Sequence, residues 1–197
     1  SYIRNYKNGR DLLQLSRDVV VIDLFGLSDE EAKQECPHLY QHILERVKPE
    51  RDTNNRPSRR NNWWLFGETN PKLRRQLTGL SRFISTVETS KHRIFSFLDA
   101  DILPDNKLVN IALAKSEAYG ILSSRLHTLW SMRAGSRLGV GNDLVYVKTT
   151  CFEKFPFPDL TEKYKIIIGD LAEKIDQHRK QQQAQHPKLT LTNIYNV

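Results

Sequence analysis

Between residues 129 and 158 the chain carries a set of side chains able to read the edges of nucleic-acid bases. Arg133, Ser136, Arg137, Asn142 and Asp143 lie in one polar segment, with Tyr146 and Lys148 just beyond it. Arginine can donate two parallel hydrogen bonds to guanine, asparagine matches adenine, aspartate accepts from cytosine, and serine suits either kind of group. Gly135, Gly139 and Gly141 are interspersed, and glycine lets a backbone adopt positive φ or approach a ligand closely. The same glycines and asparagine also mark ordinary connecting loops, so the residue types alone leave both readings open.

Such a segment is useful only if something rigid presents it. Residues 115 to 133 have helical spacing that puts Ala118, Ile121, Leu122, Leu126, Leu129 and Trp130 on one face, expected to be core. Residues 144 to 152 read as a short strand that stops before Pro156 and Pro158. Residues 83 to 88 and 93 to 98 alternate as strands, and 108 to 113 form a third after the Pro104-Asp105-Asn106 turn. Lys91, His92 and Arg93 then make a basic tip between strands, either an exposed hairpin end or a contact to DNA.

Earlier in the chain, residues 1 to 27 read as extended, with a turn at Asn8-Gly9 and an apolar run over 19 to 25 ended by Gly26. Ser28 and Glu31 form a capping box for a helix that must be interrupted or restarted at Pro37. Its second half places Leu39, Tyr40, Ile43, Leu44 and Val47 on a core-facing stripe. Over residues 46 to 60, arginines and lysine at 46, 48, 51, 56, 59 and 60 alternate with asparagines, and Trp63 and Trp64 follow. This is either a phosphate-contacting arm with an aromatic anchor or a solvated basic loop whose tryptophans sit in the core. Asn70-Pro71 caps and starts a short helix that runs through Leu77 to Gly79. After Pro158, Thr161 caps a long amphipathic helix with Tyr164, Ile167, Ile168, Leu171, Ala172 and Ile175 on one stripe, broken by Pro187. The expected fold is α+β, with a small mixed or antiparallel sheet flanked by helices. Residues 1 to 158 are read as one domain and 159 to 197 as a C-terminal helical appendage.

The formal charge of +7 and a pI near 9.4 favour anionic partners without choosing among DNA, acidic proteins and lipid. Cys36 and Cys151, far apart, suit a reducing cytoplasm rather than a disulfide framework. No apolar run is long enough to span a bilayer, which argues against a membrane partner. The start at Ser1 without methionine suggests a piece of a larger protein.

Chemistry of its own is hard to find in the chain. There is no Walker loop, no convincing set of nuclease carboxylates and no Asn/Asp-Pro-Pro-aromatic loop, since Asn70-Pro71-Lys72 lacks the second proline. No glycine-containing loop suited to S-adenosylmethionine is visible either. Cys36, His38 and His42 are close in sequence, but a zinc site needs three or four ligands and no second cluster exists.

The run Leu138-Gly-Val-Gly-Asn-Asp143, followed by Thr149-Thr-Cys-Phe-Glu-Lys-Phe-Pro-Phe-Pro158, resembles the end of the target-recognition domain of MmeI-type enzymes. These are single-chain class I DNA methyltransferases, often fused to a restriction endonuclease. Further segments resemble the same family in the same order: Asn8-Gly-Arg-Asp-Leu12 with Val21-Ile-Asp-Leu-Phe-Gly26, then residues 40 to 66, then Thr89-Ser-Lys-His-Arg93 with Leu103-Pro-Asp-Asn106. The resemblance implies a non-catalytic DNA-recognition domain whose partners are double-stranded DNA and a methyltransferase domain of the same parent chain. S-adenosylmethionine would belong to that parent, and the methylated base would be an adenine. On this reading Arg133, Ser136, Arg137, Asn142, Asp143 and Tyr146 contact bases, while Lys91, His92, Arg93, Arg59, Arg60 and Lys148 contact phosphates. The rival readings are an unrecognised nuclease or transferase site and a protein-interaction module using the helix over 161 to 183.

Overall fold

The opening strand β1 (Ile3–Lys7) turns into a one-turn helix α1 (Gly9–Leu13) and returns as β2 (Val20–Ile22), antiparallel to β1 with Ile3 opposite Ile22. The structure, a computed structural model, describes residues 2 to 138 and 143 to 196. Asn8-Gly9 is therefore the start of a helix rather than a bare turn. The Asn8 side chain accepts from the backbone of Arg10 and Asp11, and the Asp11 carboxylate accepts the Asn8 N–H in return. Arg17 also grips Asp11 at 2.7 Å, and its guanidinium holds that carboxyl far below the usual carboxylate range.

Helices α2 (Asp29–Glu35) and α3 (Pro37–Arg46) follow. Ser28 and Glu31 close the capping box of α2, and Pro37 occupies the first turn of α3, where its missing N–H costs nothing. The basic run is not an open loop. It folds into two single turns, α4 (Lys48–Asp52) and α5 (Pro57–Asn61). Both tryptophans take the core reading: Trp63 packs with Leu24, Ala32, Tyr40 and Ile43, and Trp64 donates its indole N–H to the Leu27 carbonyl.

Helix α6 (Pro71–Leu77) precedes the central strands β3 (Arg82–Val87), β4 (Thr89–Ser90), β5 (Phe95–Asp99), β6 (Leu103–Pro104) and β7 (Leu108–Ile111). Asn70 marks the start of α6, but its side chain makes no capping hydrogen bond. Gly79, with φ of 83°, turns the chain out of that helix. The sheet β5-β3-β7 is antiparallel and buried on both faces. Adjacent side chains on β3 point opposite ways, so Phe83 joins Leu12, Leu77, Leu98 and Leu108, whereas Ile84 joins Phe95, Tyr119, Leu122 and Tyr146. Strand β6, which lies between β5 and β7 in the chain, pairs in parallel with β1 to give a second sheet of order β2-β1-β6.

Where one helix was expected there are two, α7 (Ser116–Ser123) and α8 (Arg125–Ala134). Ser124 has extended backbone, and its hydroxyl accepts the His127 N–H as the cap of α8. That break resets the helical phase, and the expected core stripe fails beyond it. Leu126 is 71% exposed and Leu129 50%, while His127 is fully buried. The chain then forms β8 (Ser136–Leu138) and β9 (Asp143–Val145), and a π-helical turn over Lys148–Phe152 replaces the expected continuation of the strand.

Helices α9 (Glu162–Gln185) and α10 (Leu191–Ile194) complete the chain. Thr161 stands at the start of α9 without a side-chain capping bond. Gly120 lets α7 meet α9 closely, because a Cβ there would lie 2.7 Å from Ile168 Cγ2 and 3.0 Å from the Ile168 carbonyl. The inward side of α9 carries Gly169, Ala172, Asp176 and Arg179, which are buried, whereas Tyr164, Ile167, Leu171 and Ile175 of the expected stripe are exposed. Arg179 reaches the central core, donating to the Phe95 carbonyl and the Tyr119 hydroxyl. Among the described residues no helix is long and apolar enough to cross a membrane.

Candidate nucleic-acid interface

The polar segment singled out by its residue types is the arms of a hairpin. Strands β8 and β9 pair antiparallel with Ser136 opposite Val145, Arg137 opposite Leu144 and Leu138 opposite Asp143. β9 in turn pairs with β4, giving a small sheet of order β4-β9-β8 with β8 at its edge. Ser136, Arg137, Leu138 and Asp143 are all exposed, and Arg133 projects from the last turn of α8 immediately before them. The expected Asn142 contact lies outside the described residues. Helix α8 does deliver the hairpin, with Gly135 as the joint. A Cβ there would sit 2.5 Å from the Val145 carbonyl and 2.7 Å from that of Ser131.

Two of the expected DNA contacts face inward instead, and together they anchor the hairpin. Tyr146 is 1% exposed, its hydroxyl 2.9 Å from His127 Nε2 and its ring edge-on to Phe95. A base cannot reach it. Burial pushes its hydroxyl well above the ordinary phenol range. Arg93, expected at a phosphate, is buried with its guanidinium stacked on the Tyr146 ring at 5.0 Å. It donates to Thr86 Oγ1 and to the carbonyls of Val87, Glu88 and Leu144. The Leu144 bond fastens β9, and hence the hairpin, to the end of β3. These partners are one hydroxyl and three carbonyl oxygens, and burial lowers the Arg93 pKa to about 10. Burial, helped by the Arg93 charge, likewise lowers His127 to about 4, so the imidazole is neutral. Phe155 stands edge-on to that imidazole at 4.4 Å. The Trp130 indole donates to the Cys151 carbonyl, a packing role.

The remaining cations divide. Lys148 is exposed at the start of the π-helical turn. Lys91 Nζ and His92 Nε2 both meet Asn196 Oδ1 at 2.8 Å, so the C-terminal segment already engages the basic tip. Arg59 and Arg60 lie on α5, in the tryptophan lobe. Arg59 lines a cavity near Glu68, and Arg60 donates to the Asn54 carbonyl. Among the described residues no group of three or more potential metal ligands gathers.

Sequence reasoning missed the outward face of α8, where Leu126, Leu129 and Met132 are exposed beside Arg125 and Arg133. Only the capping pattern Ser124 to His127 hinted that the helical phase restarts there.

An antiparallel hairpin held by a buried arginine and offered at the end of a helix defines a class of module, a rigid scaffold presenting a short polar ribbon. Over residues 1 to 159 the chain matches the family model described as the MmeI target recognition domain, and it belongs to that family. No curated protein matches it. Among solved structures it is similar to the type IIL restriction-modification enzyme MmeI in complex with DNA, with a TM-score of 0.72 and 20% identity. That match covers 99% of this chain and 25% of the MmeI chain, so the chain spans about a quarter of the length of the structure it resembles.

Proposed function

We propose that this chain reads DNA sequence for a larger restriction-modification enzyme whose chemistry resides elsewhere in the parent protein, in the cytoplasm. The observation that carries this reading is the hairpin: Ser136, Arg137 and Asp143 are exposed on a short ribbon whose root is locked by Arg93, and Arg133 is exposed on the helix just before it. A two-stranded ribbon is one of the elements the B-DNA major groove, about 12 Å wide, can admit. The exposed Leu126, Leu129 and Met132 on α8 lie on the helix that leads into it, and apolar contact of this kind distinguishes thymine by its methyl group. Lys148 supplies a sequence-independent phosphate contact from the flank.

In this reading a methyltransferase domain of the same parent grips the other side of the duplex, holds S-adenosylmethionine and methylates an adenine turned out of the stack.

The test is Arg137→Ala in the intact parent enzyme, after mapping of its methylated motif. Discrimination at one base position should fall by about 1 to 3 kcal/mol while methylation of the relaxed set of sites continues. An equal loss on all sequences would place Arg137 on the backbone and remove it from base reading.

A further inference from the structure

A cavity of about 560 Å³ opens among β1, β6, α5 and α6 and shares no lining residue with the hairpin. Its volume falls within the roughly 300 to 1,000 Å³ of small-molecule sites. The wall is apolar, with Val21, Leu73, Leu77, Ile102 and Leu103, and two aromatic rings at its edge, Phe25 and Phe66, remain 39% and 38% exposed.

The charges around it are not balanced. Arg4 and Arg74 share the single carboxylate of Asp23, at 3.3 and 2.7 Å. Asp105 accepts the Tyr6 hydroxyl. Glu68 is 3.6 Å from Arg59, a loose pair whose acid is well exposed. Arg51 is half-buried and its side chain makes no ion pair or hydrogen bond among the described residues. Gly67 leaves room for Arg59 at the cavity, since a Cβ there would lie 2.7 Å from Arg59 Nε. The Arg74 guanidinium lies over the Phe25 ring at 4.4 Å, so Phe66 is the open ring, and a half-buried cation without a counter-ion beside it is a site for a planar ligand that carries an anionic group.

We propose that this cavity binds one nucleotide unit, with its base in the apolar recess beside Phe25 and Phe66 and its phosphate at Arg51 and Arg59. The basic run over residues 46 to 60 thereby acquires a use that an outward-facing arm would not give it. Two of its arginines, Arg51 and Arg59, line this pocket. The nucleotide can be a free mononucleotide or one turned out of a DNA strand. The site does not depend on the hairpin reading, which stands or falls on Arg137.

The experiment titrates deoxyadenosine 5′-monophosphate into the 197-residue chain by calorimetry, with deoxyadenosine and inorganic phosphate in parallel. The nucleotide should saturate and bind about tenfold more tightly than either part alone, since both the stacking surface and the charge are needed. Arg51→Ala should reduce it to the level of deoxyadenosine, and Phe66→Ala should weaken nucleotide and nucleoside alike by about tenfold. Both side chains are partly exposed, and thermal melts confirm that each variant folds. A nucleotide bound no better than phosphate, or unaffected by both substitutions, overturns the proposal. A duplex with one unpaired 2-aminopurine then identifies the source. If Arg51→Ala weakens this duplex and spares a fully paired one, the nucleotide comes from DNA. If neither duplex responds while the mononucleotide is lost, the free form is the occupant; an equal loss on both duplexes places Arg51 on the phosphate backbone and overturns the proposal.

Discussion

Gly135 is the joint between helix and hairpin, and replacing it with alanine tests whether the hairpin is held where the scaffold puts it. Its backbone angles, φ −83° and ψ −171°, are open to any residue, so the substitution introduces no conformational strain. The penalty is purely steric. The added methyl would stand 2.5 Å from the Val145 carbonyl oxygen, 2.7 Å from that of Ser131 and 3.2 Å from Cys151 Sγ, where ordinary contact begins at 3.4 Å. Two of these neighbours are backbone, one in β9 and one in α8, and neither can swing aside as a side chain would. Strand and helix must therefore separate by nearly an ångström, beyond the tolerance of about 0.5 Å within which a binding constellation keeps its geometry. Overpacking of this kind costs about 1 to 3 kcal/mol, which urea unfolding of the 197-residue chain would read as a lower midpoint. In the intact enzyme the preference for its own target should fall by about tenfold, the value of one good base contact, with non-specific affinity at the same salt unchanged. Wild-type stability together with full discrimination would refute the argument, because the hairpin would then tolerate a shift that base reading cannot.

Arg93→Lys removes the fork that spans Thr86 Oγ1 and the carbonyls of Val87, Glu88 and Leu144, and should cost about 2 to 3 kcal/mol. Hydrogen exchange at the Tyr146 amide, which donates to the Glu88 carbonyl, should quicken, and unchanged protection would disprove the clamp. His127 gives a pH dependence of definite sign. Its pKa is about 4 in the folded chain against an ordinary 6.5, so between these values the unfolded chain binds the extra proton. Stability should therefore fall from about pH 6.5 to 4 by roughly 3 kcal/mol and level off below. His127→Gln should lose that slope in urea midpoints, and parallel curves for the two proteins would contradict it.

Much of the fold was legible because its signals are local. Ser28 and Glu31 announce their helix within one turn, Pro37 restarts the next, and the alternation over residues 83 to 98 marks strands whatever surrounds them. What failed was decided at a distance. Nothing near Arg93 in sequence says that its guanidinium will meet the Leu144 carbonyl, some fifty residues on. The inward side of α9 follows Gly169 and Ala172 rather than its larger apolar residues, because close approach to Gly120 outweighs the area those residues could bury. Ser124 carries a local capping signal, but periodicity read across it hid the change of phase that exposes Leu126 and buries His127. Of the candidate site, the residue types named the hairpin, and order within a family resemblance placed it. Which of its members face outward was fixed only by packing, and Tyr146 went the other way.

Strand β8 lies at the open edge of its sheet, and all three of its side chains reach solvent even though neighbours on a strand point to opposite sides. A mutation at Ser136 or Leu138 therefore has little buried packing to disturb, while the neighbouring strand keeps Val145 in the interior. On the proposed reading, altered preference and retained foldedness are separable at these positions, and new letters can be tried there one at a time.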